Sequence, residues 1–279
     1  MIAAASGQPA LQVRGLTVQF GDPAQPTDAV RGVSLLVRPG QTLGIVGESG
    51  SGKSLTLQAV LGLVADRGGR QTATELALYG RDLRALSARQ WQAVRGAQIA
   101  LVGQDPVATL HPYRRVGDQV AEMLIVHRNM AAQLAWDQSV AMLDRLGLPQ
   151  ARQRALDYPH QLSGGQRQRV AIAQALIAGP QVLLADEPTT ALDATAQRQV
   201  LAEIAALQQA HQMAVVWVSH DLAVVAQIAD EVAVMYAGQI VEQGPPATVF
   251  AAPQHAYTAQ LVASRPSLRR WSAQQTGAT

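Results

Sequence analysis

The stretch Gly47-Glu48-Ser49-Gly50-Ser51-Gly52-Lys53-Ser54 limits what this chain can become more than any other part of it. An apolar run, Leu43-Gly44-Ile45-Val46, precedes it and reads as a buried strand. The apolar segment 55–64, LTLQAVLGLV, follows and reads as a helix. A Gly-x4-Gly-Lys-Ser loop between strand and helix is the pattern that cradles phosphate. Its glycines let successive backbone N–H groups turn inward around phosphate oxygens, at a helix N-terminus that already favours anions. The lysine is informative because all the other cationic side chains among the 22 Lys and Arg residues are arginine. A compact ammonium fits between the β- and γ-phosphates of a nucleotide, where a planar guanidinium fork does not. Ser54 offers a hydroxyl to Mg²⁺. Residues 47–54 are therefore expected to bind the phosphates of ATP.

Two further stretches make sense beside that loop. Val182-Leu183-Leu184-Ala185-Asp186-Glu187 is an apolar strand ending in two acids. It would deliver Asp186 to a magnesium ion, and Glu187 to the water that attacks a phosphoryl group. Leu162-Ser163-Gly164-Gly165-Gln166 opens the helical segment that follows it, and its hydroxyl and glycine amides could grip a second phosphate. One chain does not need two such grips on one nucleotide. The economical expectation is that this one serves a nucleotide held by a partner chain.

The remaining pattern is that of an α/β protein. LQVRGLTVQF and QIALVGQ read as strands, ELALYGRDL as a short strand and turn, and EVAVMYAGQIVEQG as a hairpin around Ala237-Gly238. From about Asp105 to Pro159 strand signals stop and apolar residues recur at helical spacing, as in an inserted helical subdomain. After it, helices and strands alternate as in a parallel sheet. Residues 1–10 and the tail after Pro266 read as poorly ordered. With no cysteine, thiolate metal sites and disulfides are excluded. A net charge of +2 without a clustered basic face gives no reason to expect a nucleic-acid partner. Neither a secretory signal nor an apolar run of roughly 18 residues is seen, so a cytosolic protein attached to a membrane only through partners is expected.

Taken together, the phosphate loop, LSGGQ, VLLADEP, Ala191-Leu192-Asp193 and Val218-Ser219-His220-Asp221 resemble the ATP-binding cassette ATPases, in that family's order, across residues 11–250. The resemblance implies a RecA-like core with an antiparallel β subdomain and a helical subdomain at about 105–165. It also implies a head-to-tail dimer sandwiching ATP. By the same resemblance Gln104 contacts Mg²⁺, His220 reaches the γ-phosphate, Asp193 lies in a dimer-contact loop and Phe20 stacks on adenine. Gly103 departs from the phenylalanine common before that glutamine, a gap in packing rather than chemistry.

The segment QDPVATLHPYRRVGDQVAEML and the tail QGPPATVFAAPQHAYTAQLVASRPSL, which holds the C-terminal extension from residue 251 and His255-Ala256-Tyr257-Thr258, resemble the dipeptide, oligopeptide and nickel importer branch. That resemblance implies peptide, nickel or metal-chelate import on the cytoplasmic face of the membrane. The implied partners are two permeases, a second identical or sibling ATPase and, indirectly, a substrate-binding protein. Residues 105–122 would meet the permease. The alternative is an exporter or lipid-transport ATPase. A soluble ATP-driven clamp fits less well, because residues 55–161 hold no sustained heptads.

Overall fold

The computed structural model describes residues 8–22 and 24–264. The expectations for the extreme N-terminus and for the tail after Pro266 fall largely outside them, although Ala10 is buried and its N–H donates to Val37 O at 2.9 Å. The chain forms two compact units, one from the residues up to Leu86 together with those from Ala214, the other from Ser87–Met213.

The first unit opens with β1 (Leu11–Phe20), β2 (Thr27–Val37), β3 (Thr42–Val46), α1 (Lys53–Val60), β4 (Arg70–Thr72), β5 (Glu75–Leu78) and β6 (Arg81–Asp82). An antiparallel sheet runs β2-β1-β5-β6, with β4 also on β1. Leu11 and Val13 face the core, then the alternation slips one place so that Leu16 and Val18 do the same. The slip occurs at Gly15, whose φ of 59° belongs to a bulge that resets which side chains point inward.

The second unit follows with α2 (Ala88–Val94), β7 (Ile99–Val102), α3 (Pro106–Thr109), α4 (Val116–Arg128), α5 (Ala132–Arg145), α6 (Ala151–Arg154), α7 (Gly164–Leu176), β8 (Val182–Asp186) and α8 (Ala194–His211). β7 and β8 are parallel, with Leu101 opposite Leu184, and β8 is buried along its whole length. Between Pro106 and Leu176 its elements are helical. α4 and α5 approach closely enough for the Ser139 hydroxyl to donate to Gly117 O at 2.8 Å. A side chain at Gly117 would strike Ala155 O at 2.8 Å.

The chain then completes the first unit with β9 (Ala214–Val218), α9 (Leu222–Ile228), β10 (Glu231–Tyr236), β11 (Gln239–Gly244), α10 (Pro246–Ala251) and α11 (Ala256–Ala263). Here β3 lies between β10 and β9, parallel to both, and every residue of β3 and β9 is buried. α9 packs so tightly on β3 that a Cβ at Gly44 would come within 2.4 Å of Val225. β10 and β11 form the expected hairpin. Ala237 (φ 45°) and Gly238 (φ 84°) supply the two left-handed residues that a two-residue turn of matching twist requires. Among the described residues no helix is long and apolar enough to cross a membrane.

Candidate functional site

In the first unit, the loop between β3 and α1 is shaped by its glycines. Gly47 sits at φ 153°, and a Cβ there would lie 2.1 Å from Met235 O. Gly52, at φ 103°, would bring a Cβ to 2.8 Å from Ala29 O. The loop is thus pressed onto the ends of β10 and β2, where only bare backbone fits. Gly47→Ala should consequently lose fold stability, whereas Gly50→Ala meets open space among the described residues and carries only the cost of its φ of 80°. Thermal melting of the two variants side by side checks this.

The ammonium of Lys53 lies inside the loop, with the residue only 6% exposed. Its Nζ donates to Gly47 O at 2.9 Å and Glu48 O at 2.7 Å. Ser51 N donates to Glu48 O at 3.2 Å, and Gly238 N to Ser51 O at 3.0 Å. Ser49 and Gly50 form the exposed crest of the loop. Gly52 begins α1 without a side-chain cap, and no acid occupies the first turn. The N-terminus therefore offers backbone N–H groups and a positive dipole end, with half-buried Ser54 in its first turn.

Two further site candidates belong to this unit. His220 is exposed just beyond β9. Its neighbours hold the turn, since Asp221 N donates to the Ser219 hydroxyl at 3.0 Å and Asp221 caps α9 through Ala223 N. Phe20 is half-buried at the end of β1, its ring against Gly69, where a Cβ would come within 2.7 Å of it.

The second unit brings Gln104, Asp186 and Glu187 together. Asp186 ends β8 and is 6% exposed. Glu187 takes a left-handed φ of 49°, an uncommon conformation for a residue with a side chain, which swings the chain out of the strand. Glu187 Oε2 accepts from Gln104 Nε2 at 3.4 Å and from the Thr190 hydroxyl at 3.2 Å. Gly103 has room around it, with Thr109 Oγ1 the nearest atom at 3.7 Å from a Cβ built there.

At the start of α7, Ser163 and Gln166 form a reciprocal capping box. Gln166 N donates to the Ser163 hydroxyl at 3.3 Å, and Ser163 N to Gln166 Oε1 at 2.9 Å. Leu162 is buried beneath. A Cβ on Gly165 would meet Ala191 O at 3.1 Å, so packing within the chain accounts for that glycine. Gly164 would meet nothing within 4 Å. Asp193 caps α8, accepting from Thr195 N and Ala196 N at 2.9 Å each. The Ala196 N–H is the main reason its carboxyl lies below the ordinary aspartate range.

Sequence reasoning missed one residue that touches the loop. The hydroxyl oxygen of Tyr257, on α11, accepts from Glu48 N at 2.8 Å. A separation of 209 residues leaves no local signal for this contact.

The family model described as "ABC transporter" matches residues 30–190. A putative peptide import ATP-binding protein of Brucella melitensis is 46% identical over 94% of this chain and 79% of that protein. An oligopeptide transport ATP-binding protein of Bacillus subtilis is 45% identical over 92% of this chain and 72% of that protein. Among solved structures, a dimeric ATP-binding cassette in a post-hydrolysis state with ADP and Pi superposes with a TM-score of 0.75 at 27% identity, covering 85% of this chain and 98% of that one. Two sheets with interleaved helices and a glycine-shaped loop around a buried lysine are what that likeness requires. The chain belongs to the ABC transporter family, as an ATP-binding cassette with the ABC ATPase fold.

Proposed function

We propose that this chain hydrolyses ATP to power the import of peptides. The observation that carries the reading is its 44–46% identity, over most of its length, to ATP-binding proteins of peptide uptake systems. In this reading, residues 47–54 take the phosphates and Phe20 the adenine. Lys53 and His220 offset the charge that develops on the γ-phosphoryl oxygens. Glu187 orients the attacking water and takes its proton. Gln104, hydrogen-bonded to Glu187, supports that alignment. Ser54, Gln104 and Asp186 would hold Mg²⁺, since they carry oxygen donors of the kind that ion prefers. When bound, it would supply positive charge that offsets the charge on the phosphates.

The reading includes a second cassette, identical or a sibling, whose nucleotide is gripped by Leu162–Gln166 and met by the loop of Asp193. Gly164 supports this, because nothing among the described residues of its own chain excludes a side chain there. Gly164→Asp should therefore melt within about 1–2 °C of the parent, since an acid at a helix N-terminus is itself mildly stabilising. Its ATP turnover should nonetheless drop about 10²-fold, because the new carboxylate repels the partner's phosphate. Melting curves and phosphate release, measured on one preparation, separate the two effects.

Two permeases complete the proposed assembly on the cytoplasmic face of the membrane, fed by a substrate-binding protein. Residues 105–122 are the proposed contact. Val107 is 57% and Tyr113 84% exposed there. Buried Gln119 stiffens the loop, accepting from His111 N at 2.8 Å and donating to Arg114 O at 2.9 Å. The test is to purify a tagged chain from detergent-solubilised native membranes with ATP and Mg²⁺. Multi-span permeases that co-purify with the parent chain, and are lost when Val107 and Tyr113 become aspartate, are the expected result. Recovery of soluble partners alone overturns the transport reading and leaves the ATPase chemistry standing.

A further inference from the structure

We propose that Tyr257 is a positioning residue for the phosphate loop, fixing the Glu48 peptide so that the loop is ready for nucleotide. The proposal rests on the ATP reading of residues 47–54. Three hydrogen bonds hold the backbone of Glu48. Its carbonyl takes the Lys53 ammonium at 2.7 Å and Ser51 N at 3.2 Å. Its N–H goes to the Tyr257 hydroxyl at 2.8 Å. The first two bonds lie within the loop and would travel with it. The third ties the loop to a different element.

That element is firmly placed. Gln254 N and His255 N donate to the Glu242 carboxylate at 2.9 and 3.0 Å, which pins the entry to α11 against β11. His255 Nδ1 then accepts from Tyr257 N at 3.1 Å, capping the helix. Thr258 is fully buried beside it. The Tyr257 ring packs against Tyr236 with centroids 4.3 Å apart and planes tilted by 33°, and Tyr236 ends β10, directly before the turn whose Gly238 N–H holds Ser51 O. The loop is therefore gripped from two sides, by the β10–β11 turn and by α11. Tyr257 is only 7% exposed, and burial pushes its phenol above the ordinary tyrosine value, so it stays neutral through the physiological range. His255 and Tyr257 thus serve one end, holding a single hydroxyl oxygen over a single loop amide.

The geometry assigns α11 a role in nucleotide affinity, since the Tyr257 hydroxyl fixes a backbone amide of the loop. The test uses the full-length chain and Tyr257→Phe, which keeps the ring on Tyr236 and deletes only the oxygen. ATP and ADP dissociation constants, the KM and kcat of ATP hydrolysis, the melting temperature and hydrogen exchange at the Glu48 amide are measured together. The proposal expects both dissociation constants and KM to rise about three- to tenfold, the range one lost hydrogen bond supports, with kcat unchanged. It also expects faster exchange at Glu48 before nucleotide is added. His255→Ala, which loosens the helix cap without touching the loop, should shift the same quantities in the same direction by less. If Tyr257→Phe melts lower but binds ATP and ADP as the parent does, Tyr257 is a structural anchor and the proposal is overturned. If the parent chain itself binds no ATP, the reading of the loop fails first, and the positioning role with it.

Discussion

Lys53→Ala should leave a folded chain whose ATP hydrolysis has dropped about 10²–10³-fold, the scale observed when one preorganised charge-stabilising group is removed from a transition state. Two effects combine. In the proposed reading the ammonium is the loop's own positive charge for the β- and γ-phosphates, and its Nζ also bonds Gly47 O and Glu48 O across the loop mouth. Truncation removes the charge and leaves two carbonyls facing the space that phosphate oxygens are to enter. ATP affinity should therefore fall along with turnover. Lys53→Arg sharpens the expectation. It keeps the charge, but a guanidinium is wider and presents its donors in a fixed plane. With Gly47 and Gly52 pressed on Met235 O and Ala29 O, the loop has no freedom to widen around it. Arginine should rescue little, although every other cationic position in the chain holds arginine. Phosphate release and nucleotide affinity measured on both variants, with melting temperature as the control for folding, check this.

Glu187→Gln should bind ATP as well as the parent and hydrolyse it about 10²–10⁴-fold more slowly. The amide is isosteric with the carboxylate and keeps an oxygen that can accept from the Gln104 amide and the Thr190 hydroxyl, so the loop after β8 keeps its shape. What it loses is the capacity to take a proton from water. Because binding survives and turnover does not, ATP should accumulate on the protein. Single-turnover measurements distinguish this from a binding defect, which would instead raise the concentration of ATP needed without slowing the bound fraction.

The parts of this molecule that were legible in the sequence are those written in contiguous residues. The glycine-shaped loop at residues 47–54 could be read because strand, glycines, lysine and helix follow one another within a few turns of chain. β8 with its terminal acids and the β10–β11 hairpin at Ala237-Gly238 were visible for the same reason. β4 and β6, of three and two residues, are too short to show any period, and only pairing with β1 and β5 makes them strands. α10 and α11 were read only as a branch-specific extension, since six and eight residues of small and apolar type carry little helical pattern. Two site residues turned out to have local work that the motif reading passed over: Ser163 closes a capping box with Gln166, and Asp193 caps α8. In both, the same oxygen that suits a phosphate or partner contact also suits a helix N-terminus. The Tyr257 hydroxyl on Glu48 N could not have been found by pattern at all, because nothing in either segment names the other.

The measurement that tests the central claim most directly is uptake of labelled short peptides by cells in which the native gene carries Lys53→Ala. Loss of peptide uptake, with uptake of an unrelated sugar unchanged and the variant protein present at its normal level, is the result expected of an ATPase that powers a peptide importer. Peptide uptake equal to that of the parent cells would contradict it.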